Sequence, residues 1–267
     1  MECKLGHVID ALEEIVPSGL VEEWDNSGMQ LGDPDWPVER IWVALDPLPE
    51  VISAACQKDV DLVITHHPLI FKSLDVIDVS TMEGDVIQKA LSHRVAIFSA
   101  HTNLDRIKDG VNDVLAEKIG LQKITALSEN MDSGIAGFGR IGDLAQPVPL
   151  SELANTLKRA LNIGRVKMVG NLDTIVQKVA VCSGSGSSMV GAFFDTSADL
   201  FISGDLRYHD ARKFEFGRKS LIDIGHFASE HLIVNAFAER LGRHFQNKGW
   251  PLTVEPYTFE KDPFVIV

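Results

Sequence analysis

Apolar positions along the chain alternate between short runs rich in β-branched residues and longer stretches with helical spacing. Residues 5–16 show the helical pattern, and Pro17-Ser18-Gly19 closes it. The run RIWVAL (40–45) is expected as a strand and 50–58 as a helix. DLVIT (61–65) reads as a buried strand that runs straight into His66, His67 and Pro68. A helix at 84–93, a strand VAIFS at 95–99 and a helix at 110–119 follow. This rhythm predicts a largely parallel sheet covered by helices.

The rhythm breaks after about residue 125. Residues 128–142 (SENMDSGIAGFGRIG) are Gly-rich, and Pro147 and Pro149 precede a helix expected at 151–161. A second series has strands near 165–169, 178–182, 200–203 and 221–225, a long helix at 229–245 and a last strand near 252–257. The expected architecture is α/β with two lobes and mostly parallel sheets. Residues 1–125 with 226–267 make the first lobe, carrying most of the candidate ligands, and residues 126–225 make the second.

Composition narrows the classes. The 267 residues hold 25 Lys+Arg against 38 Asp+Glu, a formal charge of −13. Such a surface repels phosphate backbones on average, so general nucleic-acid binding is disfavoured. The cysteines Cys3, Cys56 and Cys182 are odd in number and far apart, which points to a reducing compartment without a disulfide framework. The acidic, amphipathic start does not read as a signal peptide, and no apolar run suits a membrane span. A cytoplasmic protein is expected.

The chemistry gathers where strands end. ITHHPLIF puts His66 and His67 at the C-terminal end of a buried strand, the edge where functional groups collect in open parallel sheets. Two adjacent histidines on a regular strand point to opposite faces, but at a strand end turning into proline both can face one cavity. That suits two metal ions about 3.5–4 Å apart. A plain surface loop is the alternative. VAIFSAHTNLD places His101 and Asp105 beyond the next strand. Asp105 is an oxygen ligand or a turn residue; His101 is a ligand or orients a carboxylate. LIDIGHFASE puts His226 at a third strand end and Glu230 four residues later, on the same face of a helical turn. Glu230 is expected in the first turn of the long helix, where a carboxylate bridges two cations or is an ordinary N-terminal acid. Recurrence is the argument: three strand ends supply His66, His67, Asp105, His226 and Glu230, a donor set for a pair of zinc, manganese, iron or cobalt ions. No HExxH, Walker A or GxSxG motif supports another reading.

The segments ITHHPLIF, SAHTNLD, SGDLRYHDA, GHFASE and WDNSGMQLG (24–32) resemble signature segments of the GTP cyclohydrolase 1 type 2 homolog family. The resemblance runs from about residue 5 to the C-terminus. It implies a two-lobed α/β subunit, a homohexameric ring and a dinuclear metal centre. His66, His67, Asp105, His226 and Glu230 would be its ligands, with Glu230 bridging. Some relatives carry a middle domain of roughly a hundred residues, which this chain is expected to lack.

Other segments are weighed beside it. VCSGSGSS (181–188) is a phosphate cradle or a plain Gly/Ser turn. In SGDLRYHDA, His209 is a proton donor and Arg207 a phosphate contact, or the segment is a helix start capped by Asp205. Trp24 is expected to bury and Asp25-Asn26 to turn the chain. Lys72 is expected to be solvated, and Asp46 ends its strand with nothing further to recommend it. The expected function is a metal-dependent hydrolase acting on a nucleotide, with hydroxide attacking the purine ring and His209 or His101 moving protons. A two-metal phosphoesterase and a ring-shaped metal-binding protein without turnover are the alternatives.

Overall fold

The computed structural model describes residues 3–130 and 135–265. The chain runs α1 (Leu5–Glu13), β1 (Gly28–Leu31), β2 (Arg40–Ala44), α2 (Pro49–Gln57), β3 (Leu62–Thr65), α3 (Met82–His93), β4 (Ala96–Ser99) and α4 (Thr102–Arg106). It continues through α5 (Val111–Ile119), β5 (Gln122–Ala126), β6 (Glu129–Asn130), β7 (Ile135–Ala136), β8 (Arg140–Pro149), α6 (Leu150–Ala160), β9 (Lys167–Val169) and β10 (Ile175–Ser185). Then come α7 (Val190–Phe194), β11 (Leu200–Gly204), α8 (Tyr208–Gly217), β12 (Ser220–Asp223), α9 (His226–Glu230), α10 (Leu232–Asn247) and β13 (Thr253–Pro256).

Two compact units result: Met1–Leu104 with Ile233–Lys261, and Asp105–Leu232 with Asp262–Val267. The first holds a sheet of order β1-β4-β3-β2-β13, in which only β1 runs antiparallel to its neighbour. Ala44, Val63 and Ile97 pack with Val51, Ile52 and Ala55 of α2 and Val86, Ile87 and Ala90 of α3. Leu62, Ile64, Ala96 and Phe98 alternate with them and are buried too, so both sheet faces are covered.

The second unit holds a mixed sheet of order β5-β8-β10-β11-β12-β9. β10, β11 and β12 are parallel, and antiparallel strands flank them. Strand alternation splits its core. Val179, Val181, Leu200, Ile202 and Ile222 face α5 and α6 residues such as Leu115, Leu150 and Leu157. Ala180, Cys182, Phe201 and Leu221 face Val190, Phe193 and Phe214 from α7 and α8. Both units are α/β sheets covered by helices, as the pattern predicts.

Their boundaries differ from the expected 125 and 226. The division falls at 104/105 and 232/233, because α5 packs into the core of the second sheet and β5 pairs with β8. The Gly-rich stretch at 128–142 contains the starts of ordered pairing in β8, while its residues 131–134 lie outside the described residues. Among the described residues, no helix is long and apolar enough to cross a membrane.

Candidate metal centre

Strand register explains the first cluster. Ala44 pairs with Thr65, and Thr65 with Ser99, so β2, β3 and β4 end level. Backbone pairing continues one step further: the His66 N–H donates to the Ala44 carbonyl, the His67 N–H to Leu45 and the Ala100 N–H to Thr65. The residues just beyond these ends are therefore neighbours. The rings of His66, His67 and His101 have centroids 5.0, 5.2 and 5.6 Å apart. Their candidate ligand atoms lie within 4.8 Å of one another. The adjacent histidines do not splay to opposite faces, because the strand has already ended.

Each ring is held at Nδ1. His66 Nδ1 lies 2.9 Å from the Ala100 carbonyl oxygen. His67 Nδ1 lies 2.7 Å from Asp46 Oδ1, and His101 Nδ1 lies 2.8 Å from Asp25 Oδ1. An Nδ1–H donating to each oxygen leaves Nε2 with the lone pair, the tautomer a metal ligand needs. Asp25 also accepts from the Ser27 and Thr102 hydroxyls. Burial pushes its carboxyl up, but the hydrogen bonds from His101, Thr102 and Ser27 outweigh that and hold it well below the usual carboxylate range.

The second unit builds another cluster at the ends of its parallel strands. The short helix α9 puts His226 Nε2 2.8 Å from Glu230 Oε2, one helical turn apart as the spacing predicts. His226 Nδ1 lies 2.8 Å from Asp205 Oδ2. Glu230 and Asp105 are buried, and the Ser183 hydroxyl donates to Asp105 Oδ1 across 3.3 Å. The backbone reverses tightly beside Glu230. Gly184 has φ +60°, its N–H donates to Ser229 Oγ at 2.8 Å, and a Cβ there would overlap Glu230 Oε1. Within the SGSGSS segment, Gly184 thus lies tight against Glu230. Burial raises the Cys182 thiol far above its ordinary range, and the negative charges of Asp105 and Glu230 add to the rise, so it stays a thiol.

Three expectations change. Glu230 ends α9 instead of opening the long helix, because His231 separates α9 from α10. Trp24 is 60% exposed rather than buried, because its neighbour Asp25 turns inward to His101 and leaves the indole outside. Asp205 sits at φ +49° and holds His226, while Arg207 takes the N-cap position of α8. His209 is exposed near the start of α8, edge-on to Tyr208, and Arg207 Nε donates to Asp210. Lys72 is solvated, as expected. The supporting acids were the least visible in sequence. Asp25, Asp46 and Asp205 look like turn residues, and Glu260, which accepts the Leu45 and Asp46 N–H groups at 2.8 Å, gave no signal.

Three anchored imidazoles in one unit, and an imidazole with two buried carboxylates in the other, make nitrogen and oxygen donor sets that fit first-row divalent ions. A family model described as Duf34/NIF3 (NGG1p interacting factor 3) matches residues 3–263. A Clostridium perfringens protein named GTP cyclohydrolase 1 type 2 homolog is 33% identical over 89% of this chain and 91% of its own length. The protein of that name from Clostridium acetobutylicum is 32% identical over 97% and 100%. A hypothetical protein of Staphylococcus aureus superposes with a TM-score of 0.93 over 100% of both chains at 27% identity. A Bacillus cereus protein related to NIF3 has the same fold, with a TM-score of 0.95 over 100% of both chains at 24% identity. With the histidine doublet and the His226–Glu230 turn inside a match that spans nearly every residue, the chain belongs to the Duf34/NIF3 family.

Proposed function

We propose that this protein holds two divalent metal ions through His66, His67, Asp105, His226 and Glu230, with Glu230 bridging, and acts as a hydrolase on a nucleotide. The observation that supports it most is the convergence of His66, His67 and His101 with every Nδ1 held by an oxygen. Two ligand imidazoles and a proton-carrying His101 each need a bare Nε2, and these Nδ1 contacts favour that tautomer at all three. When bound, such ions supply Lewis acidity and lower the pKa of water. The chain's own part is to position. Asp46, Asp25 and the Ala100 carbonyl orient rings, Asp205 orients His226 at Nδ1, and Ser183 fixes Asp105. In this reading His101 takes up and returns a proton at its Nε2 lone pair, since Asp25 keeps its Nδ1–H in place. His209 is the second proton carrier.

Assembly into a cytoplasmic homohexameric ring belongs to the same proposal. Leu74, Val76, Ile77 and Val79 expose large apolar side chains along one segment, a surface of the kind an assembly covers. The test is elemental analysis of wild-type protein, His67→Ala and Glu230→Ala, with formate and phosphate release measured over a nucleotide panel. Two metals per chain, falling to one or none in the variants, support the centre. Formate release marks attack on the purine ring, and phosphate release marks a phosphoesterase. Full metal with neither product sinks the hydrolase half and leaves a metal-binding ring protein.

A further inference from the structure

Trp24 and Phe71 are large aromatic side chains, 60% and 47% exposed, where burial would ordinarily stabilise each by a few kcal/mol. They are placed together by design of the backbone. Asn26 Nδ2 donates to the Ile70 carbonyl at 2.6 Å, and the Ile70 N–H donates to Gln30 Oε1 at 3.1 Å. These bonds tie the segment after Trp24 to the segment before Phe71. The two ring centroids are 6.1 Å apart at 61°. Both rings stand edge-on to His101, at 6.2 and 6.4 Å. The candidate ligand cluster thus has an aromatic wall on its own unit, and that wall is open to solvent.

We propose that Trp24 is the platform on which a planar heteroaromatic base stacks, with Phe71 as the side wall and the base edge directed at His101. The proposal deepens the nucleotide reading above and rests on it for the identity of the reacting centre. The geometry favours a flat ring over a flexible aliphatic ligand. Trp24 and Phe71 meet at a steep angle, so a flat ligand lying on one face meets the edge of the other. Asp25 anchors the platform: its carboxylate is bonded to His101, Thr102 and Ser27, so the indole's backbone is fixed relative to the histidine ring. Stacking of this kind is strong and tolerant of the particular base.

The test uses the full-length, metal-loaded protein. Binding of guanosine, GTP and base-free tripolyphosphate is measured by calorimetry and by quenching of tryptophan fluorescence. Trp24→Ala should weaken guanosine and GTP binding roughly tenfold or more. Trp24→Phe should keep most of the affinity and lose most of the quench, which assigns the signal to this one of the 4 tryptophans. Metal content, oligomeric size and tripolyphosphate binding should match wild type. Unchanged guanosine affinity in Trp24→Ala overturns the proposal, and so does a metal-replete wild type that binds neither guanosine nor GTP. A shift in oligomeric size on Trp24→Ala overturns it too, since the side chain would then serve a subunit contact. A wild type that binds guanosine through Trp24 but holds no metal keeps the platform and removes the metal centre, so the two failures are distinguishable.

Discussion

Asp46 Oδ1 lies 2.7 Å from Nδ1 of His67, and this contact joins the end of β2 to the end of β3. It is a consequence of register: Ala44 and Thr65 pair at the strand ends, so the acid just past one end meets the histidine just past the other. Asp46→Asn removes the charge while keeping the shape. The imidazole then loses the charged acceptor that raises its basicity, and an amide, which can donate as well as accept, no longer fixes its tautomer. Metal affinity should drop about 10- to 100-fold, read by competition with a chromophoric chelator. Circular dichroism should be unchanged, and affinity at wild-type level would show that Asp46 does not orient a ligand.

Glu260 gives a pH dependence of definite sign. Burial pushes its carboxyl up to about 7 and the Asp46 charge adds to the rise, although the Leu45 and Asp46 N–H groups and His67 pull it down. In the unfolded chain the group ionises near 4.5. Between those values the native state binds the extra proton, so stability falls as pH rises. The contribution is whole below about 4.5 and lost as pH passes 7. Denaturant midpoints measured from pH 5 to 8 should decline more steeply for wild type than for Glu260→Gln. Parallel profiles would remove Glu260 as the source.

The candidate ligand segments were legible because functional groups collect at the C-terminal ends of parallel strands, and ITHH, SAHTNLD and GHFASE each follow a buried apolar run. Their supports were not. Asp25 and His101 are 76 positions apart, and Asp46 and His67 are 21, so no local spacing links them. β8 was hidden for a different reason. Gly142, Pro147 and Pro149 read as a break, yet they lie within one ten-residue strand. Its proline end pairs only with β10, while β5 pairs only at 140–143, so Pro147 and Pro149 face no ladder partner on that side. The exposed Trp24 likewise inverted a sound rule, since burial propensity cannot see a side chain left outside by its neighbour's inward turn.

Arg140 is buried and spends its donors fully. Nε and Nη2 reach Asp113 at 2.6 and 2.9 Å, Nη1 reaches the Gly137 and Gly139 carbonyls, and Nη2 also reaches Ile107. This one side chain closes the start of β8 onto α5. Lysine cannot reproduce the planar fork, so Arg140→Lys strands several carbonyls and half of the bidentate pair. Unfolding free energy should fall by about 3–5 kcal/mol, the scale for breaking a buried pair, measured by urea denaturation. A loss under about 1 kcal/mol would mean water replaces the fork at little cost.

Gly184 is where the backbone lies tight against the candidate ligand Glu230. Its φ of +60° is costly for other residues, about 1–2 kcal/mol. A Cβ would also overlap Glu230 Oε1 and approach His226 Cε1 to 3.5 Å. Gly184→Ala therefore combines strain with displacement of the Glu230 carboxylate, which has little room to yield because it is buried beside His226. A purely conformational effect predicts lower stability with metal content intact. Displacement predicts loss of metal as well, beyond what lower stability explains. Ser187→Ala, on the same loop but with its hydroxyl toward Asp210, serves as the comparison, and elemental analysis beside thermal unfolding separates the cases. The expected outcome is a modest drop in melting temperature for Gly184→Ala together with loss of at least one metal per chain, because the glycine is required less by the turn than by the carboxylate lying against it.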